Sequence, residues 1–100
     1  MSFKMNASKD KPNTDAILMF DVYSKRPTVC TVKLIADYYG NKIEYLSNVK
    51  LIGGDVWQNV KLEINRFKTV EGKPLRSYQT INAVEFISEN EVMLNNALWV

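Results

Sequence analysis

The sequence predicts an all-β domain, and three observations carry that prediction. Apolar and polar residues alternate with a period of two in at least four separate runs, the pattern of half-buried strands. Turn-forming residues punctuate the runs, notably Gly40-Asn41, Gly53-Gly54 and Glu71-Gly72-Lys73-Pro74. No window of helix length places apolar residues at i, i+3, i+4 and i+7. Thr80 to Glu91 comes nearest, and it is short and rich in β-branched residues.

Taken in order, residues 1–15 are polar and aperiodic and contain Pro12, which predicts a flexible N-terminal arm ahead of a single β domain at 16–100. Ile17 to Tyr23 is an apolar-rich strand interrupted by Asp21 and closed by Ser24-Lys25-Arg26-Pro27. Val29 to Tyr39 alternates, with Cys30, Val32, Leu34, Ala36 and Tyr38 on one face. Gly40-Asn41 suits a type II′ hairpin turn, so this run should pair antiparallel with Ile43 to Ile52. Val60, Leu62 and Ile64 then alternate with Lys61, Glu63 and Asn65. A further extended run follows the turn residues 71–74, which predicts one long hairpin from Asn59 to Phe86. The apolar spacing slips between Ile64 and Phe67 and again between Ile81 and Val84, and a β-bulge near Asn65-Arg66 would explain the first slip. Glu89-Asn90-Glu91 reads as a turn, and Val92 to Val100 as a last strand with Val92, Leu94, Leu98 and Val100 on one side.

Six strands joined by hairpin turns point to a small antiparallel β-barrel. An OB-like barrel is the preferred version, with an Ig-like sandwich or an SH3-like barrel as alternatives. Strands that change face part-way suit a sheet that coils around its core.

Composition narrows the chemistry. The chain has 100 residues, 13 Lys and Arg against 11 Asp and Glu, no histidine and one cysteine. Without histidine there is no Ser-His-Asp or Cys-His system and no easy general base near neutral pH. A single cysteine excludes an internal disulfide and, with no histidine beside it, a structural zinc site. Gly53-Gly54 lacks the Lys-Ser/Thr of a phosphate-binding loop. The expectation is therefore a protein that is not an enzyme, with no metal and no cofactor. No apolar run is long enough for a transmembrane helix and the N-terminus has no secretory h-region, so the expected location is cytoplasmic.

Charge is uneven along the chain. Lys25 to Arg76 holds ten Lys and Arg against five acids, whereas Ser77 to Val100 holds three acids and no base. Aromatic residues are interleaved with the basic ones, a combination that suits single-stranded nucleic acid: cations follow the phosphates while rings stack on bases. On that reading Lys33, Lys50, Lys61, Arg66, Lys68 and Arg76 contact phosphates, and Tyr39, Trp57, Phe67 and Tyr78 stack on single-stranded DNA or RNA. The plainer reading is that lysines decorate strand edges to prevent aggregation. A rival function is a protein-interaction or structural β-module, because the uncharged terminal strand invites pairing across a homodimer or a larger homo-oligomer. A third is a carbohydrate- or small-ligand-binding sandwich using Trp57.

Residues 60–87 resemble the C-terminal hairpin of the filamentous-phage single-stranded DNA-binding proteins. An alternating strand runs into a Phe-Lys-x-Val step, a glycine turn and a leucine. The matching positions are Val60, Leu62, Phe67, Lys68, Val70, Gly72 and Leu75. The resemblance implies an OB-type fold, a dimer, a phage or mobile-element origin, and cooperative binding of single strands without sequence preference.

Overall fold

Alternation is realised most completely in the second strand. In the computed structural model, which describes residues 2–6, 17–75 and 80–99, β2 (Ile17–Ser24) turns Leu18, Phe20, Val22 and Ser24 inward. Ile17, Met19, Asp21 and Tyr23 face out. The other strands are β1 (Ser2–Asn6), β3 (Thr28–Tyr38), β4 (Asn41–Leu51), β5 (Val56–Glu63), β6 (Thr80–Ser88) and β7 (Val92–Trp99). All pairings are antiparallel, and they form a four-stranded sheet in the order β1-β6-β3-β4 and a three-stranded sheet in the order β5-β2-β7. The all-β expectation is met. The described ladders do not join the two sheets into a closed barrel; their inward faces meet across a shared core, as in a sandwich.

That core is built from Leu18, Phe20 and Val22 on one side and Cys30, Val32, Leu34 and Phe86 on the other. Phe20 and Phe86 meet edge to face at 5.1 Å, the favoured geometry for two ring quadrupoles. Cys30 is fully buried there, and desolvation pushes its thiol pKa up. Among the described residues no helix is long and apolar enough to cross a membrane.

Four local expectations are corrected. First, Asn59 to Phe86 is not one hairpin: β5 pairs with β2 along Val56–Glu63, while β6 pairs with β1 and β3 in the other sheet. Both edges of β2 need a partner, and β5 supplies one of them. A much smaller hairpin survives inside this stretch. Lys68 bridges Pro74 across a tight turn in which the Gly72 N–H donates to the Thr69 carbonyl at 2.9 Å.

Second, the slip at 64–66 is a short 3₁₀ turn rather than a bulge. Its three-residue period puts Ile64 and Phe67 on one side, and both are buried. The other slip does fall at an irregularity, because the β3–β6 register shifts between Ile81 and Ala83. Third, the β3–β4 loop is Tyr39-Gly40, one residue earlier than expected, and Asn41 already pairs with Tyr38. Both loop residues have positive φ (50° and 82°), which makes the turn type I′ and matches the strand twist. Fourth, the N-terminal arm is not irregular at its outer end, where Ser2–Asn6 hydrogen-bonds along β6; residues 7–15 lie outside the described residues.

The last strand also differs in detail. The β2–β7 register shifts between Met19 and Asp21, so Ala97 packs against the core while Leu98 stands opposite Met19. Leu94 and Ala97 both pack against the core although they are three positions apart, so the alternation of β7 slips between them; Val100 lies outside the described residues.

Candidate ligand-binding face

The residues expected to bind nucleic acid do not share a face. Lys33 lies on the outer side of the four-stranded sheet, held between Glu44 at 3.3 Å and Glu85 at 3.9 Å. Its charge is already matched by two carboxylates, which weighs against the phosphate role. Phe67 is 0 % exposed, which removes it as a stacking ring. Tyr39 is 89 % exposed, but it sits at the far end of β3 from the turn that follows β2, about 30 Å away at 3.3 Å per residue. Lys50 is exposed on the outside of the four-stranded sheet, while Arg66 and Lys68 are exposed on the connection between sheets. Arg76 and Tyr78 lie outside the described residues. Lys33 and Lys50 thus share the outside of the four-stranded sheet, and among the described residues an expected stacking ring and an expected phosphate contact come together on one strand face only at Trp57 and Lys61, on the outer side of β5.

That surface is the outer face of the three-stranded sheet. The register places Trp57, Tyr23 and Met93 side by side across β5, β2 and β7. At the strand spacing of about 4.8 Å the row is roughly 10 Å wide. Trp57 is 51 % and Met93 49 % exposed, and the Tyr23 and Trp57 rings lie 5.6 Å apart, tilted by 48°. The next row along the strands is polar: Asn59, Asp21 and Asn95. There the Asn59 amide donates to the Asp21 carboxylate at 2.9 Å. Sequence reasoning named Trp57 and missed Tyr23 and Met93. The signal was strand parity, since Tyr23 shares the outward phase of Met19 and Asp21.

One turn fixes the end of this row. Gly53, Gly54 and Asp55 all have positive φ (74°, 78° and 57°), a run that aims Asp55 back at β2. The Tyr23 hydroxyl donates to the Asp55 carboxylate at 2.5 Å, which holds the phenol ring beside the indole. That hydrogen bond, followed by desolvation and the Asp55 charge, raises the Tyr23 pKa above its ordinary value of 10.0. A raised phenol pKa means the folded state holds this proton more tightly than the unfolded chain does. The contact's contribution is therefore present below about pH 10 and is lost as pH rises through the Tyr23 pKa. In an ultraviolet titration Tyr23 should ionise later than an ordinary tyrosine. Asp55→Asn should bring that step down, and an unchanged titration would disprove the contact.

Beside Tyr23 opens a groove of about 460 Å³ walled by Lys25, Arg26, Asn90, Glu91 and Met93. It is within the size range of small-ligand sites. The face as a whole is not basic: Lys25, Arg26 and Lys61 stand against Asp21, Asp55, Glu63 and Glu91. No family model, curated protein or solved structure matches this chain.

Proposed function

We propose that this chain is a non-catalytic binding module that takes a glycan on the outer face of its three-stranded sheet. The observation that carries the reading is the exposed Trp57-Tyr23-Met93 row with the Asn59-Asp21-Asn95 row behind it. A sugar ring is apolar on its C–H faces and polar around its rim. Its slightly positive C–H groups settle on the negative face of an indole, while its hydroxyls need both donors and acceptors. Amides and a carboxylate within one strand repeat of the rings supply both. The test is isothermal titration against a set of oligosaccharides. Trp57→Ala should weaken binding at least tenfold, about 1.4 kcal/mol, while the melting temperature stays nearly unchanged because the indole is half exposed. Equal affinity for the variant and the parent would sink the reading.

Single-stranded nucleic acid is the second reading, and Lys25 and Arg26 beside the ring row favour it. Against it stands the charge of the face, where four carboxylates would lie along the path of a polyphosphate. An oligonucleotide in the same titration decides between them, since its affinity must fall steeply with salt and that of a neutral sugar must not.

Self-association is also supported by one feature. β7 is an edge of its sheet and Val92–Trp99 contains no charged residue, whereas β5 at the other edge carries Lys61 and Glu63. An uncharged edge lacks the usual defence against strand addition, and an antiparallel pairing with a second copy follows. A lysine at Asn95, Asn95→Lys, should lower the mass measured by light scattering from dimer to monomer. A parent protein that is already monomeric at high concentration would exclude this.

A further inference from the structure

The groove next to the ring row has a chemistry of its own. Lys25 and Arg26 project from the β2–β3 turn, both exposed, and neither forms an ion pair among the described residues. Their backbone is nonetheless held firmly. The buried Ser24 hydroxyl donates to the Arg26 carbonyl at 2.5 Å, and the Gly54 N–H donates to the Lys25 carbonyl at 3.0 Å. Gly53 packs so closely that an added Cβ would stand 2.6 Å from the Arg26 carbonyl carbon and from the Pro27 nitrogen. Two cations are thus presented on a braced turn, and Tyr23 forms a wall common to the groove and the ring row. The backbone that carries the charges does not have to be ordered when an anion arrives, so only the two exposed side chains lose freedom on binding it.

From this arrangement we infer that the groove takes the carboxylate of an acidic sugar, so that the glycan bound on this face is a hexuronate-containing one. The inference rests on the glycan reading and adds its class. Arg26 offers the planar fork that matches a carboxylate, and Lys25 adds a second positive charge. On the same walls Asn90 and Glu91 suit hydroxyl groups, the amide as donor and acceptor and the carboxylate as acceptor. Glu91 and Asp55 at the same time repel a second closely spaced anion. A ring with one carboxylate and several hydroxyls satisfies all of these groups together, and a phosphate chain does not.

The test compares a hexuronate trisaccharide with the neutral hexose trisaccharide of the same linkage, by titration calorimetry on the full chain. The uronate should bind about tenfold tighter at low salt, with the advantage shrinking as salt is added. The double variant Lys25→Ala/Arg26→Ala should reduce the uronate to the affinity of the neutral sugar, and Trp57→Ala should weaken both sugars. Lys50→Ala, on the outside of the other sheet, should alter neither. Melting curves establish that each variant is folded, and all four positions are exposed. If both sugars bind equally, or if the double variant keeps the preference, the carboxylate assignment is wrong and the glycan reading stands. If neither sugar binds, the glycan reading itself fails. If a sulfated trisaccharide or an oligonucleotide binds more tightly than the uronate and loses that affinity in the double variant, the groove serves a different anion and the hexuronate assignment is overturned.

Discussion

Phe67→Ala should lower stability by about 3–5 kcal/mol and leave the ligand affinity of the folded molecules unchanged. Phe67 is 0 % exposed and among the largest fully buried side chains of the protein. It follows directly on the 3₁₀ turn that buries Ile64, and it precedes Lys68, whose backbone exchanges hydrogen bonds with Leu46 at 2.8 and 3.2 Å. The ring thus plugs the place where the chain leaves the three-stranded sheet and crosses the edge of β4. Removing it leaves a cavity that a segment pinned on both sides cannot close. A loss of this size is a large share of the roughly 5–15 kcal/mol that holds a domain of this kind together. Denaturant titration checks it: the midpoint should fall with the slope unchanged. Its neighbours Arg66 and Lys68 are exposed, and their alanine variants should fall within about 0.5 kcal/mol of the parent. A ring that stacked on ligand would behave in the opposite way, losing affinity at constant stability.

Gly53→Ala should be the most damaging single-methyl addition, and Gly54→Ala is its natural control. Both glycines have positive φ, and an alanine forced to that conformation costs on the order of 1–3 kcal/mol. At Gly54 the added methyl would meet open space, so that conformational cost is the whole effect. At Gly53 the methyl would also stand 2.6 Å from two backbone atoms of the Arg26–Pro27 linkage and 2.9 Å from the Pro27 ring. None of these atoms belongs to a flexible side chain, so the turn itself must move. Gly53→Ala should therefore melt below Gly54→Ala. It should also displace Lys25 and Arg26 and weaken any ligand held in their groove. Equal melting temperatures for the two variants would show that the close approach carries no energetic weight.

Strand existence was legible because burial follows parity. The period-2 alternation alone sets Cys30, Val32, Leu34 and Ala36 on one face, and all four are buried. Partnership was legible where a two-residue turn joins the strands, as in the expected antiparallel β3–β4 hairpin, and not beyond it. β5 and β6 are consecutive strands with turn residues between them, and nothing local to either strand says that they belong to different sheets. What separates them is β2, which takes β5 along one edge, and a strand's choice of partner is not written in its own residues. Phe67 misled for a related reason. Its neighbours Arg66 and Lys68 are exposed and charged, and period-2 reasoning then sets a residue between them without knowing that a 3₁₀ turn has rotated the chain. The candidate face was half legible. Trp57 stood out by its type and position after the glycines, whereas Tyr23 was concealed within an apolar run and Met93 carried no signal except parity. Lys25 and Arg26 looked like ordinary turn residues, and they gain their interest only from what β7 and the 89–91 turn bring beside them.

Pairing β2 with β7 has a consequence for how the protein is made. The central strand of the three-stranded sheet spans residues 17–24, and one of its two partners spans 92–99. A nascent chain can form the β3–β4 hairpin early, since its two-residue turn closes a local loop. The sheet that carries Trp57 and Tyr23 stays incomplete until residues 92–99 have left the ribosome. Contacts between such distant segments must overcome a large loop-closure entropy before they add any stability, which places folding in the slow range of milliseconds to seconds typical of all-β domains. During that interval both the apolar inner face and one open edge of β2 are exposed together, the state in which a chain of this topology is most prone to aggregate.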